Sequence, residues 1–97
     1  MKKILELDDL WNIKSTEEAC LDLAKRLRAI RRKKGYSQLR FADRSGIPLG
    51  TLKIFETKGK ISLKHLFEYA KALGLDEELD NLFRTTQLTL EEMRDGQ

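Results

Sequence analysis

Few side chains in this chain are capable of bond chemistry. Its 97 residues include one Cys, Cys20, and one His, His65. A thiol becomes a nucleophile when a neighbouring base or cation lowers its pKa. Cys20 falls on the apolar stripe of a helical stretch with no His placed to activate it, so it is expected in the core. A single His without a second ligand pair makes no zinc site, and His65 is expected as a partly exposed helix residue. Asp76, Glu77, Glu78 and Asp80 cluster at a helix start. Capping and the helix dipole account for carboxylates there, and the regular loop spacing of calcium ligands is missing. No phosphate-binding glycine loop occurs. The sequence therefore implies no enzyme, no catalytic residue, no metal and no cofactor. The lone Cys excludes an internal disulfide and suits a reducing compartment.

The chemistry the residues do offer is charge. The net +3 conceals a strong asymmetry. Residues 1–24 carry three basic and six acidic side chains. Residues 25–60 carry twelve basic and two acidic, a net of +10. Residues 61–97 carry four basic and eight acidic. A basic centre between acidic ends is the footprint of a polyanion-binding face. Most charge runs are merely solvated surface, so position decides between the two readings.

Helical elements set that position. Ser15 and Thr16 precede Glu17 and Glu18, a hydroxyl cap followed by acids in the first turn. Leu23, Ala24, Leu27 and Ile30 follow at helical spacing, and Arg31 to Lys34 with Gly35 end the run. This predicts a helix over 16–34. Ser37 caps a second over 38–45, with Leu39, Phe41 and Ala42 as its apolar side. Pro48 opens a third over 48–57, with Leu52 and Phe55 facing inward. Ser62 caps a fourth over 63–73, with a stripe of Leu63, Leu66, Phe67, Ala70 and Leu73. Asp76 caps a short fifth helix bearing Leu79, Leu82 and Phe83. No apolar run approaches the ~18–20 residues of a membrane span. Glu6, Asp8 and Asp9 interrupt the apolar N-terminal stretch, as a secretory signal would not allow. A cytoplasmic chain is expected. Its organisation reads as an apolar arm at 1–14, a helical domain at 15–83 and a tail at 84–97, where Thr89 and Glu92 suit a capping box before Met93 and both a short helix and a disordered end stay open.

Residues 38–57, QLRFADRSGIPLGTLKIFET, fit two short helices crossing at a tight turn. Such a crossing needs a small residue where the helices meet, a Gly at the turn and apolar groups on either side. Ala42, Gly46, Phe41, Ile47, Leu52 and Phe55 meet those needs in register. Ser45 stands where an apolar residue is usual. From about residue 20 to 83 the chain resembles the Cro/C1-type (XRE) helix-turn-helix regulators. The likeness rests on LAKRLRAIRRKKGYSQ, SGIPLGTLKIFE and ISLKHLFEYAKALGL. It implies an all-α, compact five-helix lambda-repressor-like DNA-binding domain with a short N-terminal arm and a C-terminal tail. It further implies that the second helix crosses the phosphate backbone and the third enters the major groove. Gln38 matches the family's phosphate-contacting Gln, and Arg31 and Glu56 match a pair that forms an internal salt bridge. Around the motif, Arg40, Arg44, Lys58 and Lys60 are the expected phosphate partners.

With Leu52 and Phe55 turned to the core at ~100° per residue, Gly50, Lys53, Ile54 and Thr57 point away, and Leu49 and Thr51 flank them. Leu49, Gly50, Thr51, Lys53 and Ile54 are the expected base-facing set. It contains no Arg, Gln or Asn for bidentate base contacts. Shape readout remains open to such a surface. The expected function is sequence-specific transcriptional regulation by a homodimer on a palindromic double-stranded operator, as a repressor of its own operon. The alternative also rests on the resemblance: LGTLKIFE-TKGKISL looks most like regulators linked to toxin–antitoxin modules, including antitoxins of HipA-type kinases. In that reading the main task is binding and neutralising a toxin or kinase. Trp11, in the apolar arm, is either a self-packing lid or an interface anchor.

Overall fold

The computed structural model describes residues 14–84. The arm before Lys14 and the tail after Arg84, with the Thr89–Glu92 capping pair, lie outside the described residues. Serine hydroxyls start three of the five described helices. Ser15 opens α1 (Thr16–Lys33) with a reciprocal capping box: its hydroxyl accepts from the Glu18 N–H, and the Glu18 carboxylate accepts from the Ser15 N–H. Ser37 accepts from the Arg40 N–H to open α2 (Gln38–Ser45). Ser62 accepts from the His65 N–H to open α4 (Leu63–Ala72). Pro48 occupies the cap of α3 (Leu49–Lys58), one residue earlier than its expected place inside the helix. The last element, α5, is a single short helix (Asp76–Asp80).

α1 lies along α3, α2 crosses both α3 and α4, and α5 folds onto α4. Three aromatic rings fill the crossing. Phe41 of α2 meets Tyr69 of α4 at 4.7 Å between ring centroids, and Phe55 of α3 meets Tyr69 edge-on at 5.2 Å. All three are essentially inaccessible to solvent. Ala24, Leu27, Ala42, Ile47, Leu52 and Leu73 complete the buried cluster.

Two helix ends do more than stop a helix. At Gly35 (φ 87°) the Tyr36 N–H returns to the Arg31 carbonyl and the Gly35 N–H to that of Arg32. This paired closure folds Tyr36 back over Phe41, 5.7 Å away. At Gly59 (φ 73°) the end of α3 runs against the backbone of α1. A Cβ there would lie 2.8 Å from the Leu21 amide nitrogen and 2.9 Å from the Cys20 carbonyl carbon. That contact explains why Cys20, expected in the core, is exposed. At its level α1 meets α3 through backbone, and the side chain points out.

Other expectations fail for equally local reasons. Leu39 is exposed because it sits about 200° around α2 from the buried Phe41. On α4, Leu63 and Phe67 are exposed, and the inward face belongs to Tyr69, Ala70 and Leu73, with Leu66 at its edge. Asp76 is the first residue of α5 and not its cap. The Leu75 N–H is taken by the Ala70 carbonyl, which draws Leu75 onto the core, and Leu75 holds the cap position. α5 ends at Asp80, so Leu82 and Phe83 follow it in a turn and are exposed. Ser45, the departure within the turn, has a use there: its hydroxyl accepts from the Ile47 N–H at 3.2 Å.

Gly59 supports a direct test. Gly59→Ala combines left-handed strain with a collision against backbone and should cost about 2 kcal/mol or more. Gly46→Ala, where φ is 79° but the space is open, should cost only the conformational strain, about 1 kcal/mol. Thermal unfolding should order the midpoints wild type, Gly46→Ala, Gly59→Ala, with ~4–8 °C lost per kcal/mol.

Candidate nucleic-acid interface

One carboxylate organises the interior beneath the turn. Glu56 lies on the buried side of α3 with its side chain fully removed from solvent. Arg31 of α1 grips it twice, Nε to Oε2 at 2.8 Å and Nη2 to Oε1 at 3.0 Å. The Tyr69 hydroxyl donates to Oε2 at 2.6 Å, and the Gln38 amide donates to Oε1 at 2.9 Å. The remaining arm of Arg31 donates to the Tyr36 carbonyl. Four helices and the α1–α2 connection thus meet at one ion pair, and no buried side-chain polar atom among the described residues lacks a partner. Burial pushes the Glu56 carboxyl up, but the hydrogen bonds from Arg31, Tyr69 and Gln38 outweigh it and hold the pKa below the ordinary value. Burial and the bond to that carboxylate push the Tyr69 phenol well above its ordinary value.

The arginine–glutamate pair expected from the resemblance is therefore present. Tyr69 and Tyr36, the chain's two tyrosines, were not expected to take part. A signal for Tyr69 existed: it shares the inward side of α4 with Ala70 and Leu73, and a buried phenol needs an acceptor.

Pairing inside leaves the remaining charge outside. Residues 25–60 contain twelve basic side chains, and every one except Arg31 is exposed. Glu56 cancels Arg31, so the segment's whole net charge of +10 lies on the surface. Arg40 and Arg44 rise one turn apart on α2, and both guanidinium groups lie over the Tyr36 ring, at 5.9 and 5.1 Å. Arg44 also donates from Nε to the Ala72 carbonyl at the end of α4, 3.0 Å away. It caps that helix and keeps its outer nitrogens for another acceptor. Lys58 and Lys60 flank Gly59 and are exposed. Gln38 is half-buried, with one amide proton committed to Glu56. It stands at the start of α2, where the first backbone N–H groups have no partner within the helix.

On α3, Gly50, Lys53 and Ile54 are exposed and Thr51 is half-buried. Leu49 is half-buried against the core, so only part of it faces outward. Nothing stands within 4 Å above Gly50. The Thr57 hydroxyl donates back to the Lys53 carbonyl at 2.8 Å, which occupies it within the helix.

A family description, helix-turn-helix, matches residues 27–79. The chain belongs to this helix-turn-helix family. It is a DNA-binding transcription regulator of the Cro/C1 (XRE) type. The matched span runs from the second half of α1 to α5 and contains every residue of the Glu56 cluster. No curated protein and no solved structure matches the chain. Among the described residues no helix of this regulator is long and apolar enough to cross a membrane.

The Glu56 cluster predicts two pH limits. A depressed carboxyl pKa contributes stability above the unfolded value, near 4.5, and that stability is lost as the pH falls through the folded value. A raised phenol pKa contributes stability below pH 10.0 and loses it as the pH rises further. Glu56→Gln should cost about 3–5 kcal/mol at neutral pH, because it leaves Arg31 buried without a counter-charge. It should also flatten the acid limb. Tyr69→Phe should cost about 1–3 kcal/mol and remove the alkaline limb. Urea titrations from pH 3 to 11 check both.

Proposed function

We propose that this regulator reads a specific operator as a symmetric homodimer and represses its own operon. The observation that carries the reading is the exposed side of α3, Gly50, Lys53 and Ile54, held by the buried Glu56 cluster beside a surface of net charge +10. In this reading α3 enters the major groove, with Leu49 and Thr51 at its edge. Gln38, Arg40, Arg44, Lys58 and Lys60 hold phosphates. Half-sites lie about one helical turn apart, ~34 Å. Gly50 admits the DNA backbone closely, and the outward parts of Leu49 and Ile54 suit thymine methyl groups.

Fluorescence anisotropy with the DNA upstream of the protein's own gene tests this against scrambled DNA, from about 50 to 200 mM salt, where phosphate contacts weaken steeply. Binding ~10³-fold or more tighter than to scrambled DNA is expected. Equal affinity for both would remove the sequence-reading role. Lys53→Ala should weaken binding. If Lys53 touches only phosphate, the loss should be uniform across sequences and the salt slope should fall by about one. Gly50→Ala separates folding from reading: it should stabilise the helix by about 0.5–1 kcal/mol and still weaken operator binding.

A second reading has its own support. Ile54 is half exposed, and the outward side of α3 lacks Arg, Gln and Asn. That composition also suits a protein partner, as for an antitoxin that neutralises a toxin or kinase. Co-expression with the product of a neighbouring gene decides it. A complex that survives purification and dissolves on Ile54→Glu supports this reading, and two separately eluting chains count against it.

A further inference from the structure

On the side formed by α1, α4 and α5, the helices leave an apolar groove of about 260 Å³. Leu23 and Leu27 of α1, Leu66 and Ala70 of α4, and Leu79 and Leu82 at α5 line it. No residue of α2 or α3 contributes, so the groove lies apart from the turn and the exposed side of α3. Leu63 and Phe67 stand exposed on the same helix as Leu66 and Ala70. Exposed apolar surface of this kind needs an occupant.

We propose that the occupant is the chain's own arm, residues 4–13, with Trp11 as the anchor. That segment carries Ile4, Leu5, Leu7, Leu10, Trp11 and Ile13 and joins α1 directly. The described residue next to the arm is tied to α1 near the groove. The Lys14 ammonium pairs with the Asp22 carboxylate on the second turn of α1, one residue before Leu23. Lengths agree. The five residues from Trp11 to Thr16 span up to ~17 Å when extended. Leu23 and Leu27 lie ~10 and ~16 Å along α1 from Thr16. Folded back antiparallel to α1, the arm brings Trp11 level with the groove. An indole gives a large apolar body with one polar N–H that wants a partner, and Glu78 at the groove's rim supplies an acceptor. This seat is independent of the DNA reading and leaves that surface uncovered.

Trp11 is the only Trp in the chain, so its emission reports the arm alone. In the full chain, blue-shifted emission with weak iodide quenching is expected. Leu79→Glu or Leu82→Glu should shift the emission to the red and raise quenching several-fold, with far-UV circular dichroism unchanged. Leu82 is more than half exposed, so its variant retains the fold if Leu79→Glu does not. Red, readily quenched emission in the wild-type chain would overturn the proposal, as would blue emission that survives both substitutions. Exchange between copies is separated by mixing. Leu79→Glu chains are combined with an excess of Trp11→Phe chains, which have an intact groove but no Trp. Emission that stays red places each arm on its own domain. Emission that returns to the blue seats the arm on a second copy and overturns the proposal.

Discussion

The structure depends on one buried negative charge. A carboxylate in a dry interior costs several kcal/mol unless it is paired and hydrogen-bonded. Glu56 meets that demand with donors from three other helices: a bidentate Arg31, the Tyr69 phenol and the Gln38 amide. Each donor must arrive at a fixed distance and angle. The positions of α1, α2 and α4 relative to α3 are therefore specified by directional bonds as well as by packing, which is non-directional. The apolar core fills space around the cluster, and the cluster chooses among the ways of filling it.

The exposed side of α3 and the basic surface of α2 inherit that order. Gln38 anchors the start of α2 to the buried side of α3. Arg31 also binds the Tyr36 carbonyl, and the Tyr36 ring supports the guanidinium groups of Arg40 and Arg44. One ion pair thus reaches Arg40 and Arg44 through a single intermediate, Tyr36. It also neutralises Arg31, the only buried basic side chain of the central segment. The other eleven basic side chains of the segment are exposed, and one of them, Arg28, also approaches Glu56, at 3.8 Å.

The two sides of the domain are built by different means. Toward the turn, aromatic packing and the Glu56 cluster leave no buried side-chain polar atom among the described residues unpaired. At the α1–α3 contact, side chains give way to backbone, and Gly59 lets the helices approach more closely than any Cβ would permit. On the side away from the turn, α5 is only five residues long and covers α4 incompletely. The groove between Leu23, Leu66 and Leu79 follows from that short cover.

The local grammar of the chain was legible in its residues. Ser15, Ser37 and Ser62 cap because a side-chain oxygen two or three residues upstream of a free N–H acts within one turn. Gly35 and Gly46 end helices because left-handed backbone is a property of the residue itself. The turn at 38–57 and the outward set on α3 followed from a fixed 100° step. The partners of those faces were not legible. Leu39, Leu63, Phe67 and Cys20 carry the apolar signal of core residues, yet other neighbours claimed the interior. Tyr69 took the inward side of α4 because Glu56, thirteen residues earlier, needed its proton. The Cys20 side chain lost its place to Gly59, because two backbones came into contact. Periodicity is decided within a helix, whereas the choice of which stripe is covered is a long-range contact, and only the assembled tertiary structure makes it.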